Sequence, residues 1–152
     1  MSRFVSVVVV AFVLAVGFAV TPAASRPAQA ASCVQIYRIY YNSPGTDTRT
    51  NTSLNAEWIQ LKNLCTSGKS LSSWKIKDLA GHTYTFGTYT LGAGKYVKVH
   101  TGSGTNTTTD RYWRSGNYIW NNTGDTAYVR NSAGTLMDSC VYTGATAGYK
   151  YC

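Results

Sequence analysis

The chain has 152 residues, of which 44% are hydrophobic and 13% charged, and its 14 Lys and Arg residues outnumber the six Asp and Glu residues, giving a net charge of +8. This length suits one domain. A composition this apolar and aromatic, with twelve tyrosines and four tryptophans, excludes an intrinsically disordered chain.

The first thirty residues have the layout of a secretory signal peptide. Arg3 precedes a predominantly apolar run, Phe4–Val20, and a small-residue segment then ends in Ala28-Gln29-Ala30. This order predicts cleavage after Ala30. The alternative is an uncleaved membrane anchor, since seventeen residues lie near the lower limit for a spanning helix. With cleavage, residues 31–152 form a single secreted domain with a net charge of +6.

After Ser32 no segment keeps a helical period, and apolar residues alternate with polar ones in short runs. Seven short strands are predicted, in chain order: Val34–Tyr41, Glu57–Leu64, Trp74–Lys77, Tyr84–Phe86, Lys95–His100, Thr126–Arg130 and Leu136–Tyr142. Alternation indicates half-buried strands, which favours an antiparallel sandwich over a parallel α/β sheet. The segments 47–55 and 102–110 are predicted loops with too little apolar content to pack, and 112–122 is an aromatic-bearing connection.

The four cysteines, Cys33, Cys65, Cys140 and Cys152, all follow the predicted cleavage site. An even number of cysteines in an exported chain predicts two disulfides, with three possible pairings. A zinc site is disfavoured because the chain has no C-x-x-C pair. No metal site is predicted.

Several segments together resemble one family. They are Asn55–Asn63, Leu71–Asp78, Tyr84-Thr85-Phe86, Leu91–Gly94, Val97–Gly104, Trp120–Ala127 and Gly134–Asp138. This ordered set, covering about residues 34–142, resembles the lamin tail domain family in its short, secreted, bacterial form of the actinobacterial type. The resemblance implies an all-β, immunoglobulin-like antiparallel sandwich and no active site. The four cysteines are not part of the nuclear lamin pattern, so nuclear roles are not carried over.

A family-like antiparallel pairing of the first two strands implies disulfides between Cys33 and Cys65 and between Cys140 and Cys152. Asp125 follows Gly124 ahead of a strand, where its carboxylate can accept hydrogen bonds from turn amides. Calcium binding at Asp47, Asp110 or Asp125 is the alternative. It is disfavoured because calcium takes six to eight oxygens and these acids are isolated from one another.

The titratable groups do not suggest an enzyme. Glu57 is the only glutamate, and both histidines, His82 and His100, are predicted to be solvated surface residues. No paired carboxylates, nucleophile elbow or phosphate-binding loop is present in the sequence. We therefore predict a non-catalytic protein without a cofactor, and an unrecognised hydrolase is the least favoured function.

Five basic residues, Lys62, Lys75, Lys77, Lys98 and Arg130, are predicted at outward strand positions. A basic face made by them would attract polyanions without sequence preference. Outside a cell the partners would be anionic wall polymer, acidic polysaccharide or DNA. The simpler alternative is a solvated face that keeps the protein soluble.

A second binding hypothesis uses aromatic residues expected to be exposed, chiefly Trp58, Tyr96 and Tyr128. Exposed rings beside polar groups suit neutral glycan, single-stranded nucleic acid or a protein partner. The alternative is that the sandwich buries most of these rings, which would leave a purely structural domain. In each case the domain is expected to be a monomer.

Overall fold

The structure, a computed structural model, describes residues 32–145 and 147–152. In chain order its elements are β1 (Val34–Tyr40), α1 (Asn51–Ala56), β2 (Trp58–Asn63), β3 (Lys69–Ser70), β4 (Lys75–Lys77), β5 (Thr83–Thr85), β6 (Thr90–Leu91), β7 (Tyr96–His100), β8 (Asp110–Tyr112), β9 (Gly124–Arg130), β10 (Leu136–Thr143) and β11 (Tyr149–Tyr151). The seven predicted strands correspond to β1, β2, β4, β5, β7, β9 and β10. The other four, β3, β6, β8 and β11, contain at most one buried residue each and were not predicted.

The strands form two larger sheets and one small one. The five-stranded sheet has the order β11-β1-β2-β7-β8, the four-stranded sheet has the order β10-β9-β4-β5, and β3 pairs with β6. All pairs are antiparallel except β7 with β8. The larger sheets share one hydrophobic core. The predicted all-β, immunoglobulin-like sandwich is therefore confirmed.

Alternation along each strand decides which side chains reach this core. Ile59 and Leu61 of β2 and Val99 of β7 are fully buried from one sheet, and Ile76 of β4 and Val129 of β9 from the other. Each such side chain contributes roughly 1.5–3 kcal/mol on burial. The residues between them consequently point outward.

A β-bulge in β1 changes the alternation in that strand. Its pairing with β2 shifts between Ile36 and Arg38, and the buried positions accordingly step from Ile36 to Ile39. The extra residue turns both Arg38 and Tyr40 to the outer side of the sheet. This is expected of a bulge, in which two residues of one strand are opposite a single residue of its partner.

The prediction that 47–55 is a loop was wrong for its second half, where α1 lies. Thr50 caps this helix by accepting a hydrogen bond from the Ser53 amide, and Leu54 buries its side chain. A six-residue helix with one buried residue has no periodic pattern to detect. The other predicted loop remains exposed from Ser103 to Thr109, and then leads into β8.

Two disulfides join Cys33 to Cys65 and Cys140 to Cys152, which confirms the pairing implied by the family resemblance. The first ties the start of β1 to the end of β2. The second links β10 of the four-stranded sheet to the residue that follows β11 of the five-stranded sheet. Beside it the Ile36 amide donates to Asp138 Oδ2 at 2.7 Å, so covalent and polar contacts close this side of the sandwich.

The predicted signal peptide and its cleavage site lie outside the described residues. Within the described part of the chain, no helix has the length and apolar character needed to cross a membrane.

Candidate functional site

The outward side of the five-stranded sheet carries an unusual density of aromatic and basic side chains. We call this surface the cationic–aromatic face. It consists of Tyr37, Arg38 and Tyr40 of β1, Trp58, Gln60 and Lys62 of β2, Tyr96 and Lys98 of β7, and Tyr149 and Tyr151 of β11.

Strand register places rings beside one another in a row across the sheet. Tyr40 is opposite Tyr149 on one side and Trp58 on the other. The Tyr40 ring stacks on both, with centroids 5.9 Å from Tyr149 at 18° and 5.5 Å from Trp58 at 23°. Stacked aromatic pairs of this kind add about 0.5–1.5 kcal/mol each beyond their area burial.

The row continues to the sheet edge through His100, which is opposite Trp58 and Tyr112. Its ring stacks on Tyr112 with centroids 5.2 Å apart. The His100 side chain is 15% exposed, with Nδ1 2.8 Å from the Asn55 carbonyl oxygen and Nε2 2.9 Å from Asp110 Oδ1. The prediction of a solvated His100 was therefore wrong, because pairing with β8 brings Asp110 beside it.

Hydrogen bonds also determine the charge state of this edge. Partial burial works to raise the pKa of Asp110, but hydrogen bonds from Thr109 and His100 outweigh it and leave that pKa below its usual value.

The cations of the face lie on its rings. Arg38 lies 4.6 Å from the centre of the Trp58 ring and donates to Tyr151 Oη at 2.8 Å. Lys98 Nζ lies 4.5 Å from the same Trp58 ring. Cation–π contacts at exposed sites contribute roughly 0.5–1 kcal/mol each. Each contact therefore favours the position in which its cation lies over the ring.

Lys62 is positioned in the same way between two tyrosines, with Nζ 5.0 Å from the centre of the Tyr96 ring and 5.5 Å from that of Tyr37. A hydrogen bond with Tyr96 raises the pKa of Lys62 above its usual value. An ordinary lysine is already protonated at neutral pH, so this contact leaves the positive charge of Lys62 intact.

Trp58 lies on the outer side with Gln60 and Lys62, as expected, but its predicted exposure was wrong. It is only 7% exposed, because Arg38, Lys98 and Tyr40 cover it from adjacent strands. Long basic side chains commonly lie along apolar surface in this way. The most exposed rings of the face are Tyr37, Tyr149 and Tyr151, the last being 50% exposed, and Tyr40 and Tyr96 are half-buried.

The expectation of one basic face made by five residues was also wrong. Lys62 and Lys98 belong to the five-stranded sheet, whereas Lys75, Lys77 and Arg130 belong to the four-stranded sheet and point the opposite way. Tyr128 lies on the four-stranded sheet as well, half-buried and opposite Lys77, and is thus separated from Trp58 and Tyr96. Alternation distinguishes inward from outward positions but does not say which sheet a strand joins.

Sequence reasoning missed Arg38, the residue that contacts most rings of the face. Its Cζ atom lies between 4.6 and 5.8 Å from four ring centres. A signal was present, because the apolar spacing in β1 changes from two to three between Ile36 and Ile39. That change marks the bulge that turns Arg38 outward.

In the part of the chain that the structure describes, the acidic residues form no ion pair with these cations, although Asp110 is opposite Lys98 in the pairing of β7 with β8. The described residues contain twelve Lys and Arg, and none has a carboxylate oxygen within 4.0 Å. The carboxylates bind backbone amides and histidines instead. Asp125 accepts from the amides of Leu79 and Thr126, as expected for a turn residue, and Asp78 accepts from the Gly81 amide and contacts His82.

The possible catalytic groups are engaged in internal contacts. Glu57 is completely buried, and its Oε1 accepts from Thr101 Oγ1 at 2.6 Å and from the Ile119 amide at 2.8 Å. Burial raises the pKa of Glu57 to about 7 despite these hydrogen bonds. No substrate could touch this carboxyl group. Among the described residues, no three His, Cys, Asp or Glu side chains are grouped to hold a metal ion.

Comparison with known families matches most of the chain to a family model. The family model described as Lamin Tail Domain matches residues 27–144 of the chain. Among curated proteins, no significant match was found.

Proposed function

The chain belongs to the lamin tail domain family, and from that premise we propose that it is a secreted, monomeric, non-catalytic module that binds anionic polymers through its cationic–aromatic face. Family membership supports an immunoglobulin-like module without an active site. The ligand class comes from the chemistry of the face, and it covers anionic wall polymer, acidic polysaccharide and extracellular DNA.

The observation that carries the proposal is the position of two cations on one ring. Arg38 and Lys98 both lie against Trp58, so their separation cannot exceed the sum of the two distances to its centre, 4.6 and 4.5 Å. Gln60 lies between them in the register. Two close positive charges without carboxylate partners create a strong local potential for neighbouring anions of a polymer.

The aromatic rings improve the face as a binding surface. A free lysine loses rotamer freedom when it binds, at about 0.5–1.5 kcal/mol for each immobilised side chain. Lys62 and Lys98 already lie on rings, so part of this cost is met when the protein folds. The tyrosines left exposed beside them can also contact sugar rings or bases of the polymer.

Secretion is supported by the cysteines. All four are paired, and disulfides persist in oxidising compartments such as the outside of the cell. The predicted signal peptide is consistent with that location.

A neutral-glycan or protein partner is the second candidate, favoured by the exposure of Tyr37, Tyr149 and Tyr151. The two candidates differ in their response to salt. Binding that depends on phosphate, sulfate or carboxylate groups weakens as counterions accumulate, and stacking of a neutral sugar does not.

The test is co-sedimentation of the purified, disulfide-bonded protein with cell walls, with heparin and single-stranded DNA as defined probes, across a salt series. We expect binding to collapse between roughly 50 and 200 mM salt. K62Q/K98Q should bind more weakly, and its logarithmic salt slope should be smaller by about two, one for each lost contact. The probes separate phosphate from sulfate and carboxylate polymers.

R49Q/K150Q is the matched control, because it removes the same charge from exposed positions outside the face. Equal loss in both variants would mean that net charge alone drives binding and would contradict the assigned site. Salt-resistant binding would favour the neutral glycan, and no binding to any probe would leave a structural role.

A further inference from the structure

We infer that the protein has a second polyanion-binding surface on the four-stranded sheet and bridges two anionic polymer chains. This inference rests on the proposed function, since it assigns the same class of ligand to the opposite side of the sandwich. We call the second surface the opposite basic patch. It consists of Lys75, Lys77, Tyr128 and Arg130.

The orientation of this patch follows from β4. Ile76 is completely buried, so the residues on either side of it point away from the core. Lys75 is opposite Arg130 and Lys77 is opposite Tyr128 on β9. Opposed residues on one face of an antiparallel pair have Cβ atoms about 4.5–5.5 Å apart. The three cations therefore occupy two successive outward rungs of the sheet, with the inward pair Ile76 and Val129 between them.

No acidic residue shares these rungs. On the other side of β4, Lys75 is opposite Thr85 and Lys77 is opposite Thr83, and beyond β9 the next partners are Leu136 and Ser139. Arg130 donates to the Gly134 carbonyl oxygen at 3.0 Å. Because this partner is neutral, the positive charge of Arg130 is not compensated. The charges of Lys75 and Lys77 are not compensated either.

The two surfaces face opposite directions. The inward residues Ile76 and Val129 pack on the same core as Ile59 and Val99, and packed sheets lie about 10 Å apart. A polymer segment lying along one outer face consequently leaves the other face free. Two separate surfaces on one small rigid domain make the protein bivalent, so it can join two chains of a wall or matrix polymer.

A two-step capture assay tests this inference. Heparin oligosaccharides too short to reach around the sandwich are tethered at one end and loaded with protein, and fluorescent heparin is then added in solution. We expect the wild type to retain fluorescent heparin in proportion to the protein bound. K75Q/K77Q should still bind the tether, but should retain roughly tenfold less fluorescent heparin because the second contact loses two cations.

R49Q/K150Q again has the same net charge as K75Q/K77Q and should behave as the wild type. Equal retention by K75Q/K77Q and the wild type would overturn the inference, as would a wild type that binds the tether and captures no second chain. Those results leave the proposed function standing. Failure to bind the tether at low salt would instead refute the proposed function, and the inference with it.

Discussion

On the five-stranded sheet Lys62 and Lys98 lie over aromatic rings, whereas on the four-stranded sheet Lys75 and Lys77 make no cation–π contact with the described residues, although Lys77 is opposite Tyr128. Both sets are outward and basic, and neither forms an ion pair with a carboxylate of the described chain, although Asp110 is opposite Lys98. They differ in their freedom, because among the described residues cation–π contacts involve no cation of the opposite basic patch. Positive charge alone attracts polyanions to both surfaces. On the cationic–aromatic face, ring contacts also restrict where Lys62 and Lys98 lie.

The largest expected effect on this difference between the two sheets comes from removing Trp58, the ring over which Arg38 and Lys98 lie. Trp58→Ala should lower the free energy of unfolding by about 3–5 kcal/mol, since the ring is almost fully buried. Tyr128→Ala, on the half-exposed opposite side, should have a clearly smaller effect. Urea unfolding followed by circular dichroism measures the stability of both variants. Equal losses of unfolding free energy would show that Trp58 does not stabilise the cationic–aromatic face more than Tyr128 stabilises the opposite side.

A second expected effect is a pH-dependent stability that comes from the buried residue Glu57. Its pKa is about 7 when folded against 4.5 ordinarily, so the folded state binds the proton more tightly than the unfolded chain. The resulting stabilisation is complete below pH 4.5 and is lost as pH rises to 7. A shift of this size corresponds to about 3 kcal/mol.

The comparison with Glu57→Gln isolates this contribution, because both histidines are present in wild type and variant. We expect the free energy of unfolding of the wild type to fall relative to the variant between pH 4.5 and 7, and then to run parallel. A constant difference across that range, measured by urea unfolding at each pH, would mean that Glu57 does not titrate there.

The smallest expected loss of stability comes from freeing β11, an edge strand of the five-stranded sheet. C140A/C152A removes a disulfide between residues twelve apart, and should cost about 2–3 kcal/mol. It also frees Tyr149 and Tyr151, so binding to tethered heparin should weaken while second-chain capture per bound protein stays unchanged. Loss of second-chain capture in this variant would contradict the independence of the two surfaces.

Much of the fold could be predicted because its signals are local. The alternation in β2 and β7, with Ile59, Leu61 and Val99 inward, depends only on the period of a strand. The helix at Asn51–Ala56 and the strands β3, β6, β8 and β11 were not predicted, because none of them contains more than one buried residue. For the candidate site, the sequence identified Lys62 and Lys98 as outward but missed Arg38.

By itself, the sequence determined the strand class, the inward and outward positions, the number of disulfides and, through the family resemblance, the sandwich and its cysteine pairing. Only the tertiary structure decided that Lys98 lies on Trp58 while Lys77 lies on the opposite sheet. The physical reason is that the direction of a side chain follows from neighbouring residues, whereas its partners follow from pairing between strands distant in the chain. The binding surface that we propose is formed by those partners.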